Sequence, residues 1–391
     1  MPWKVNNLMS ERYDFCKAAE QGDTKFCVLC QKFGISRQTG YKWWHRYQQE
    51  KEAGLCDRSH RPKRMPRHTT AEVEDAVLAL RQEFPCWGPR KLRRLLEERY
   101  PHFLLPAVVT VARILKRHGV TTVPSPPPVW TTVQRFAAPE PNHLWQMDLK
   151  APLRLPDRRK LYPVGLLDDH SRYLLGLWLL PDQTDDGLIA CWIQAVEQYG
   201  LPRWTLTDHG VQFRSVDEYT SAFRVYLWAC GVKHTQGRVG HPQTQGKIER
   251  LWRTVNTEVF RRHQYADALS WQRCLDDWRQ QYNQVRPHQE LGDDTPALHY
   301  QSSVRSYVVP DPRQCVGLPD SIYRRVNPRG QISLGGERFL VGRGLNGWMV
   351  EARSQGNGCW HAYFYHHFVR EFLLTKRSNP EPLETANLQQ Q

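Results

Sequence analysis

The chain has 391 residues, of which 40% are hydrophobic and 11% aromatic, enough to build hydrophobic cores in several domains and to exclude a largely disordered protein. Its 54 lysines and arginines outnumber its 40 acidic residues and give a formal net charge of +14. The expected partner is therefore a polyanion, with nucleic acid favoured over an anionic membrane surface. No apolar run reaches the roughly 18 residues of a membrane span, and no signal-peptide pattern follows Met1. We expect a cytoplasmic or nucleoid protein with no membrane partner.

The ten cysteines are too irregularly spaced to form a disulfide framework. Cys27 and Cys30 have the Cys-x-x-Cys spacing of many zinc sites, but no second Cys or His pair follows at zinc-finger spacing. Both lie in a segment with helical periodicity, where cysteine behaves as a small buried hydrophobe. We therefore favour core packing over metal binding for this pair.

The positive charge is concentrated in the first third of the chain. Residues 1–123 contain 23 lysines and arginines and 13 acidic residues, so 23 − 13 = 10 of the 14 net positive charges lie there. This asymmetry predicts DNA-binding domains at the N-terminal end and a more balanced remainder.

Residues 1–66 have the pattern of a helix-turn-helix domain with a basic arm. Apolar residues recur at helical spacing up to residue 33, Gly34 permits a tight turn, and Ser36 can cap a second helix. An ordinary pair of helices with a solvated basic face is the alternative. The second helix carries these predicted DNA contacts: Arg37, Gln38, Lys42, His45 and Arg46.

The basic arm that follows is interrupted by prolines and favours the DNA-binding interpretation. Such a segment is suited to following phosphates or the minor groove. The predicted contacts in the arm are Arg58, Arg61, Lys63, Arg64 and Arg67.

Residues 67–123 are predicted to form a second helix-turn-helix or winged-helix domain. Thr69 and Glu72 have the spacing of a capping box at the start of its first helix. Two further helices follow, the last of which ends at Gly119. Two linked modules can bind a longer DNA site than either module alone.

The remainder of the chain is predicted to comprise a linker, an α/β core, a β-domain and a tail. Residues 124–141 contain six prolines and predict a semi-rigid linker. Residues 142–300 alternate strands and helices in the order of a mixed α/β sheet. Residues 301–376 have short apolar runs between glycine-bearing turns and predict a small C-terminal β-barrel of about five strands. Residues 377–391 are predicted to be disordered.

Three carboxylates lie at the ends of different predicted elements of the α/β core. Asp148 falls in an otherwise apolar strand, where its charge is costly unless it is compensated. Asp208 ends a later strand, at the kind of position where ligands of α/β sheets gather, and Glu249 opens a helix after a polar loop. Together they could converge on hard divalent cations. Taken singly, each is better explained as a helix cap or an ion-pair partner.

Four ordered motifs around these residues resemble the catalytic core of retroviral integrases and, within that group, the DDE transposases of bacterial insertion sequences. The motifs are Trp145-Gln146-Met147-Asp148, Asp168-Asp169-His170-Ser171-Arg172-Tyr173, Thr207-Asp208-His209-Gly210 with Phe213, and His241-Pro242-Gln243-Thr244-Gln245-Gly246-Lys247-Ile248-Glu249-Arg250. Segments of the first helix-turn-helix domain and residues 339–342 also resemble this family. The resemblance thus covers most of the chain.

The resemblance implies an RNase H-like core in which Asp148, Asp208 and Glu249 are both the catalytic triad and the metal ligands. It also implies two Mg²⁺ ions, for which Mn²⁺ can substitute. The implied partners are double-stranded DNA, as terminal inverted repeats and as target, and further copies of the chain in a dimer or higher multimer on DNA. In the implied reaction water cleaves at the element end, and the freed 3′-hydroxyl then attacks target DNA. A bacterial origin follows from the same resemblance.

Other acidic residues near these motifs are alternatives to members of the triad. In the family, the turn that contains Asp168 and Asp169 is mainly structural. Glu258 lies nine residues beyond Glu249, about half a helical turn out of phase, so the two side chains cannot serve one site on a regular helix. The family usually has Asn where this chain has His209, a change that bears on metal affinity and activity rather than on fold.

Basic residues on the same helix as Glu249 are predicted to contact DNA phosphates rather than to catalyse. They are Lys247, Arg250 and Arg253.

Two other functions remain open from the sequence. A decayed or domesticated copy would bind DNA without catalysis, and a metal-dependent nuclease would cleave DNA without joining it. Strand transfer by the purified protein separates both from a transposase.

Overall fold

A computed structural model describes residues 8–58, 69–121, 137–208, 210, 220–237, 246–314 and 321–374. Most of the predicted linker and all of the predicted disordered tail lie outside these ranges. The chain divides into two units, residues 1–69 and residues 70–391. No helix in the described ranges is long and apolar enough to cross a membrane.

The described residues of the N-terminal unit form three α-helices, and the second and third form the predicted helix-turn-helix. They are α1 (Leu8–Gln21), α2 (Phe26–Lys32) and α3 (Arg37–Glu50). Gly34 makes the turn with a φ of +67°, a conformation that glycine adopts without steric cost. The N-cap at Ser36 is confirmed, because its Oγ accepts a hydrogen bond from Thr39 N at 3.2 Å.

Close packing between α2 and α3 explains the pair of cysteines that resembled part of a zinc site. Cys30 is 1% exposed, and a Cβ added to Gly40 would lie 2.6 Å from its Sγ. Cys30 therefore belongs to the core of this unit. The helix α1, which the sequence analysis did not assign, contributes the buried Phe15 and Cys16 to the same core.

The second unit begins with three helices packed around a leucine-rich core. They are α4 (Ala71–Glu83), α5 (Pro89–Arg99) and α6 (Val108–Arg117). The predicted capping box is wrong: α4 begins at Ala71, so Thr70 rather than Thr69 is its N-cap, and Thr70 makes no side-chain capping hydrogen bond. Helix α5 contacts the α/β core directly, since Arg90 Nε donates to both carboxylate oxygens of Asp293 at 2.9 and 2.8 Å.

The α/β core is built on a mixed sheet of six strands. They are β1 (Leu144–Leu149), β2 (Leu153–Arg154), β3 (Lys160–Asp168), β4 (Leu174–Leu180), β5 (Trp204–Thr207) and β6 (Lys233–Gln236). The order is β2-β3-β1-β5-β6, and β4 also pairs with β3. β1 pairs antiparallel with β3 and parallel with β5, and β5 pairs parallel with β6. The mixed α/β sheet predicted from the sequence is therefore present.

Helices cover both faces of this sheet. They are α7 (Asp185–Tyr199), α8 (Ala222–Ala229), α9 (Gly246–Val255) and α10 (Ala268–Gln284). Trp145 and Met147 of β1 pack with residues of α7 and α8 in one hydrophobic core, and α9 and α10 form a second core on the other face. Because side chains alternate along a strand, Gln146 and Asp148 face α9.

The predicted C-terminal β-barrel is wrong, because the described strands form two separate sheets. The strands are β7 (Ile322–Arg325), β8 (Gln331–Leu334), β9 (Glu337–Leu340), β10 (Met349–Gly356), β11 (Cys359–Phe364) and β12 (His367–Leu373). Four of them pair in the order β12-β11-β10-β7, while β8 pairs only with β9. No hydrogen-bonded ladder joins the two sheets among these residues, so the structure is not a closed barrel.

The apolar side of these C-terminal strands is covered partly by α8. Val225 of α8 is fully buried in the same core as Val350 and Phe364. The chain approaches the start of α8 closely, because a Cβ added to Gly344 would lie 2.3 Å from Thr220 O. A helix of the α/β core thus takes part of the role that further strands have in a barrel.

Candidate active site

Asp148 and Asp208 lie side by side at the ends of two parallel strands. In the ladder between β1 and β5, Gln146 is opposite Leu206. Continuing this register by two residues along each strand places Asp148 opposite Asp208. The carboxyl ends of parallel strands meet at one edge of a sheet, where α/β proteins gather their ligands.

Glu249 approaches the same edge from the first turn of α9. This helix packs against β1 and β3, and Trp252 Nε1 donates a hydrogen bond to Asp148 Oδ2 at 2.9 Å. Glu249 lies three residues before Trp252, and residues at this spacing are neighbours on a helix surface. Trp252 is buried and Glu249 is exposed, so Glu249 lies at the rim of the site.

The three carboxylates are close enough to influence one another electrostatically. The pKa of Asp148 is raised from 3.8 to about 6, first by burial and next by repulsion from Asp208, with a smaller contribution from Glu249. The hydrogen bond from Trp252 opposes this rise in pKa. The fold therefore holds three acidic groups together at an energetic cost.

These residues fit a hard divalent cation. All three offer carboxylate oxygens, the ligands that Mg²⁺ and Mn²⁺ prefer. Asp208 is further positioned by a hydrogen bond from Gly210 N to its Oδ1 at 2.8 Å. A bound cation would compensate the repulsion that raises the pKa of Asp148.

A buried polar cluster, formed by Gln146, Asp169 and Lys247, fixes the start of α9 against β1. Asp169 is fully buried, its Oδ2 pairs with Lys247 Nζ, and its Oδ1 accepts from Gln146 Nε2 at 2.7 Å. Gln146 Oε1 in turn accepts from Ile248 N at 3.3 Å. The helix that carries Glu249 is thus tied to the strand that carries Asp148 directly through Ile248 N, and indirectly through the Lys247–Asp169 pair.

Two integrase core domain models match this chain, one over residues 138–242 and one over residues 230–296. A homeodomain-like domain model matches residues 39–115. An uncharacterized 39.2 kDa protein of insertion element IS476 from Xanthomonas euvesicatoria is 25% identical over 271 residues, which are 66% of this chain and 74% of that protein. The transposase for transposon Tn552 from Staphylococcus aureus is 21% identical over 273 residues, 63% of this chain and 55% of that protein.

A solved structure, the HTLV-2 integrase catalytic core domain in complex with magnesium, aligns with 41% of this chain and 99% of its own length at 19% identity and a TM-score of 0.31. The integrase core matches together span residues 138–296 and include Asp148, Asp208 and Glu249. The chain is a DDE-type transposase with an integrase-type catalytic core.

Two other acids of this transposase core, Asp168 and Glu258, are engaged in structural contacts. Asp168 is fully buried and accepts hydrogen bonds from Asn142 N and Ser171 N, both at 2.8 Å. Glu258 lies in a π-helical turn, Asn256–Phe260, that continues α9. Its carboxylate accepts from Trp278 Nε1 at 3.1 Å and pairs with Arg286 at 3.3 Å.

Lys247 was predicted to contact a DNA phosphate, but the structure pairs its ammonium with the buried Asp169. Its side chain is only 16% exposed, and burial lowers its pKa to about 8. A phosphate contact by Lys247 would require this ion pair to break. Arg250 and Arg253 are exposed on the same helix, and their phosphate contacts remain predictions.

In the N-terminal unit, the predicted DNA contacts lie together on α3. Arg37, Gln38, Lys42 and His45 are exposed, and Arg46 is half-buried. Tyr41, which was not among the predicted contacts, is also exposed on α3: it is 49% exposed and stacks on Phe26 with a centroid distance of 4.3 Å. Its spacing of four residues from Arg37, about one helical turn, predicts that the two side chains lie on the same face of α3.

The basic arm is described only at its first predicted contact. Arg58 is exposed and pairs with Glu50 at 2.5 Å. The other predicted contacts of the arm lie outside the described residues: Arg61, Lys63, Arg64 and Arg67. His209 lies outside them as well.

Replacing Asp148 with asparagine is expected to stabilise the metal-free protein at neutral pH. The folded state raises the pKa of Asp148 from 3.8 to about 6, so this carboxyl favours folding below its unfolded pKa and loses that contribution as the pH rises through about 6. At about pH 7.5, Asp148→Asn should raise the free energy of unfolding by about 1–3 kcal/mol. Denaturant unfolding with and without Mg²⁺ measures this, and Mg²⁺ should stabilise the parent more than the variant.

The same measurement at about pH 4 provides the internal control, because the carboxyl of Asp148 in the parent is then largely protonated. The stabilisation by Asp148→Asn should therefore be smaller at this pH. Asp75→Asn, at an exposed position of α4, should show little change at either pH. An equal stabilisation by Asp148→Asn at both pH values would contradict the electrostatic explanation.

The Lys247–Asp169 pair is expected to show strong energetic coupling. Removing one partner leaves a buried charge uncompensated and should cost about 3–5 kcal/mol. Asp169→Asn combined with Lys247→Met should therefore cost much less than the sum of the single changes. Unfolding followed by tryptophan fluorescence, over the full double-mutant cycle, gives the coupling energy.

The exposed pair of Asp157 and Arg159, joined at 2.6 Å, is the matched control. Its coupling energy should be much smaller than that of the Lys247–Asp169 pair, because solvent screens an exposed ion pair. Equal coupling energies in the two cycles would show that the Lys247–Asp169 pair contributes no more to stability than a surface ion pair.

Proposed function

We propose that this transposase binds the ends of a mobile DNA element, cleaves a phosphodiester bond at those ends and joins the freed 3′-hydroxyl to target DNA by transesterification. The observation that carries the proposal is the convergence of Asp148, Asp208 and Glu249 on one edge of the sheet within an integrase core. The reaction would take place on chromosomal DNA in the nucleoid of a bacterium.

The proposed metal ligands are these same three carboxylates, with two Mg²⁺ ions as the resident metals and Mn²⁺ as a substitute. When bound, two such ions activate an attacking oxygen and stabilise a leaving oxygen at a phosphodiester. Trp252 orients Asp148 through its hydrogen bond at 2.9 Å. The cluster of Gln146, Asp169 and Lys247 holds the start of α9, and with it Glu249, at a fixed position relative to the two strands. Preorganised catalysis requires such fixed positions.

DNA recognition is proposed for the helical modules, in which a sequence-reading helix and basic residues cooperate. The exposed face of α3 offers Arg37 and Gln38, residues that can form paired hydrogen bonds with guanine and adenine in the major groove. The basic arm and the exposed Arg250 and Arg253 would contact phosphates and fix the position of the duplex. Because two element ends must be processed together, we propose a dimer or higher multimer on DNA.

Asp208→Asn is expected to abolish both cleavage and joining while end-specific DNA binding is retained. The reason is that a neutral amide binds a hard divalent cation far more weakly than a carboxylate. Incubation of the purified protein with duplexes carrying its own element ends and a target plasmid, in Mg²⁺ or Mn²⁺, measures both steps on a denaturing gel. Asp186→Asn, an exposed change at the start of α7, should leave both steps unchanged.

The outcomes of this assay distinguish the possible functions. Cleavage without joining by the parent protein would indicate a nuclease, and binding without either step would indicate a protein that only assembles on DNA. Joining by Asp208→Asn at the parental rate would refute the triad.

Arg37→Ala and Gln38→Ala are each expected to reduce the preference for element ends over random duplex by about 1–3 kcal/mol. The loss follows from removing a base-edge contact, so binding to random DNA should change less. Competition binding at a fixed salt concentration, repeated over a salt series, separates base contacts from phosphate contacts. Lys32→Ala, an exposed basic change outside α3, should leave the preference intact; an equal loss there would argue against base reading by α3.

A further inference from the structure

The outer face of the β11–β12 hairpin brings together three side chains of metal-binding type. Along β11, Trp360 and Ala362 point into the core, so Cys359 and His361 point to the opposite face because side chains alternate along a strand. His361 is directly opposite Glu371 of β12, and Cys359 is one pair further along, opposite Leu373. Glu371 is therefore a cross-strand neighbour of both residues.

The geometry of this cluster is compact. The ligand atoms of Cys359, His361 and Glu371 all lie within 4.8 Å of one another. His361 Nε2 lies 2.9 Å from Glu371 Oε2. Metal–ligand bonds of about 2.0–2.3 Å separate the ligands of a tetrahedral zinc ion by about 3.2–3.7 Å, so only small side-chain adjustments would be needed.

We propose that Cys359, His361 and Glu371 bind one zinc ion, with a fourth position open to water or to a ligand from a partner. A thiolate, an imidazole and a carboxylate form a donor set that zinc accepts and magnesium does not. This distinguishes the C-terminal site from the catalytic triad, whose donors are carboxylate oxygens only.

The surroundings of His361 support a ligand role. Its Nδ1 lies 3.4 Å from Tyr363 Oη, so the ring can direct Nε2 toward the metal while Nδ1 faces a polar neighbour, as metal-bound histidines generally do. Phe368 packs edge-on against the same ring at a centroid distance of 5.2 Å. These contacts hold the imidazole in place before any metal binds.

Binding of zinc would cross-link the last two strands of the described chain. The hairpin already has regular pairing from Cys359 to Ala362. The ligands therefore come from a fixed backbone, and metal binding costs little conformational entropy. Zinc binds the thiolate form of cysteine, so binding releases the thiol proton and the zinc affinity should increase with pH.

The test is a titration of the full-length, untagged protein with Co²⁺, which occupies zinc sites and reports on its ligands by absorption. A thiolate ligand gives an intense charge-transfer band in the near ultraviolet, whereas the carboxylates of the catalytic triad give none. We expect this band at one equivalent of Co²⁺, its loss on addition of Zn²⁺, and its persistence in a large excess of Mg²⁺. Absence of the band in reduced protein would overturn the proposal.

Single variants identify the ligands. Cys359→Ser should abolish the charge-transfer band, and His361→Gln or Glu371→Gln should each weaken zinc binding by roughly a hundredfold, as expected for the loss of one of a few ligands. All three side chains lie on the solvent side of the sheet, and unchanged circular dichroism confirms that each variant folds. A band that survives Cys359→Ser would refute the assignment.

Two control variants test whether the absorption band comes from this site. Cys56→Ser, at an exposed cysteine of the N-terminal unit, should leave both the band and the zinc affinity unchanged. Asp208→Asn should also leave them unchanged, which shows that the signal does not come from the catalytic site. Loss of the band in either variant would place the metal elsewhere and refute the proposal.

Discussion

The buried ion pair between Lys247 and Asp169 is the interaction on which the candidate active site depends. Two of the three carboxylates of the site, Asp148 and Asp208, lie within or directly after neighbouring strands, and their positions follow from the sheet itself. Glu249 belongs to a helix that reaches the sheet after a long intervening segment, so its position needs a separate constraint. The pair provides that constraint, because it holds the residue two positions before Glu249 against the turn that follows β3.

Gln146 extends this constraint to the catalytic strand. It accepts a hydrogen bond from Ile248 N and donates one to Asp169, so both sides of its amide are used. All three groups of the cluster are enclosed by the sheet and α9, where a partly satisfied polar group would be costly. Such a cluster favours one arrangement of helix and strand, and it gives Asp169 a structural role beside the candidate triad.

Repulsion among the three carboxylates opposes the fixed arrangement that this cluster imposes on them. Burial and the neighbouring carboxylates disfavour the charge on Asp148, so this charge opposes folding of the metal-free protein. The cluster and the two hydrophobic cores on either side of the sheet offset that cost. This division is common in enzymes: the scaffold supplies stability, and the site retains repulsion that a bound cation can relieve.

Much of the fold was predictable from local patterns, and the exceptions share a physical cause. The mixed α/β sheet and the Ser36 cap are present as predicted, because strand alternation and capping are encoded within a few residues. The role of Lys247 was not predictable in this way. Its partner lies 78 positions away in the sequence, and no periodicity distinguishes an ion-paired lysine from a phosphate-binding one.

The C-terminal β-barrel failed as a prediction for a related reason. The short apolar runs correctly indicated strands, but closure depends on what covers their apolar side. Here Val225 of α8 enters that core, while Phe223 and Leu227 of the same helix pack in the core of the catalytic sheet. One helix therefore serves two cores, and the position of the C-terminal strands is coupled to the sheet that carries the triad. A change that loosens α8 should disturb both, since neither core is complete without it.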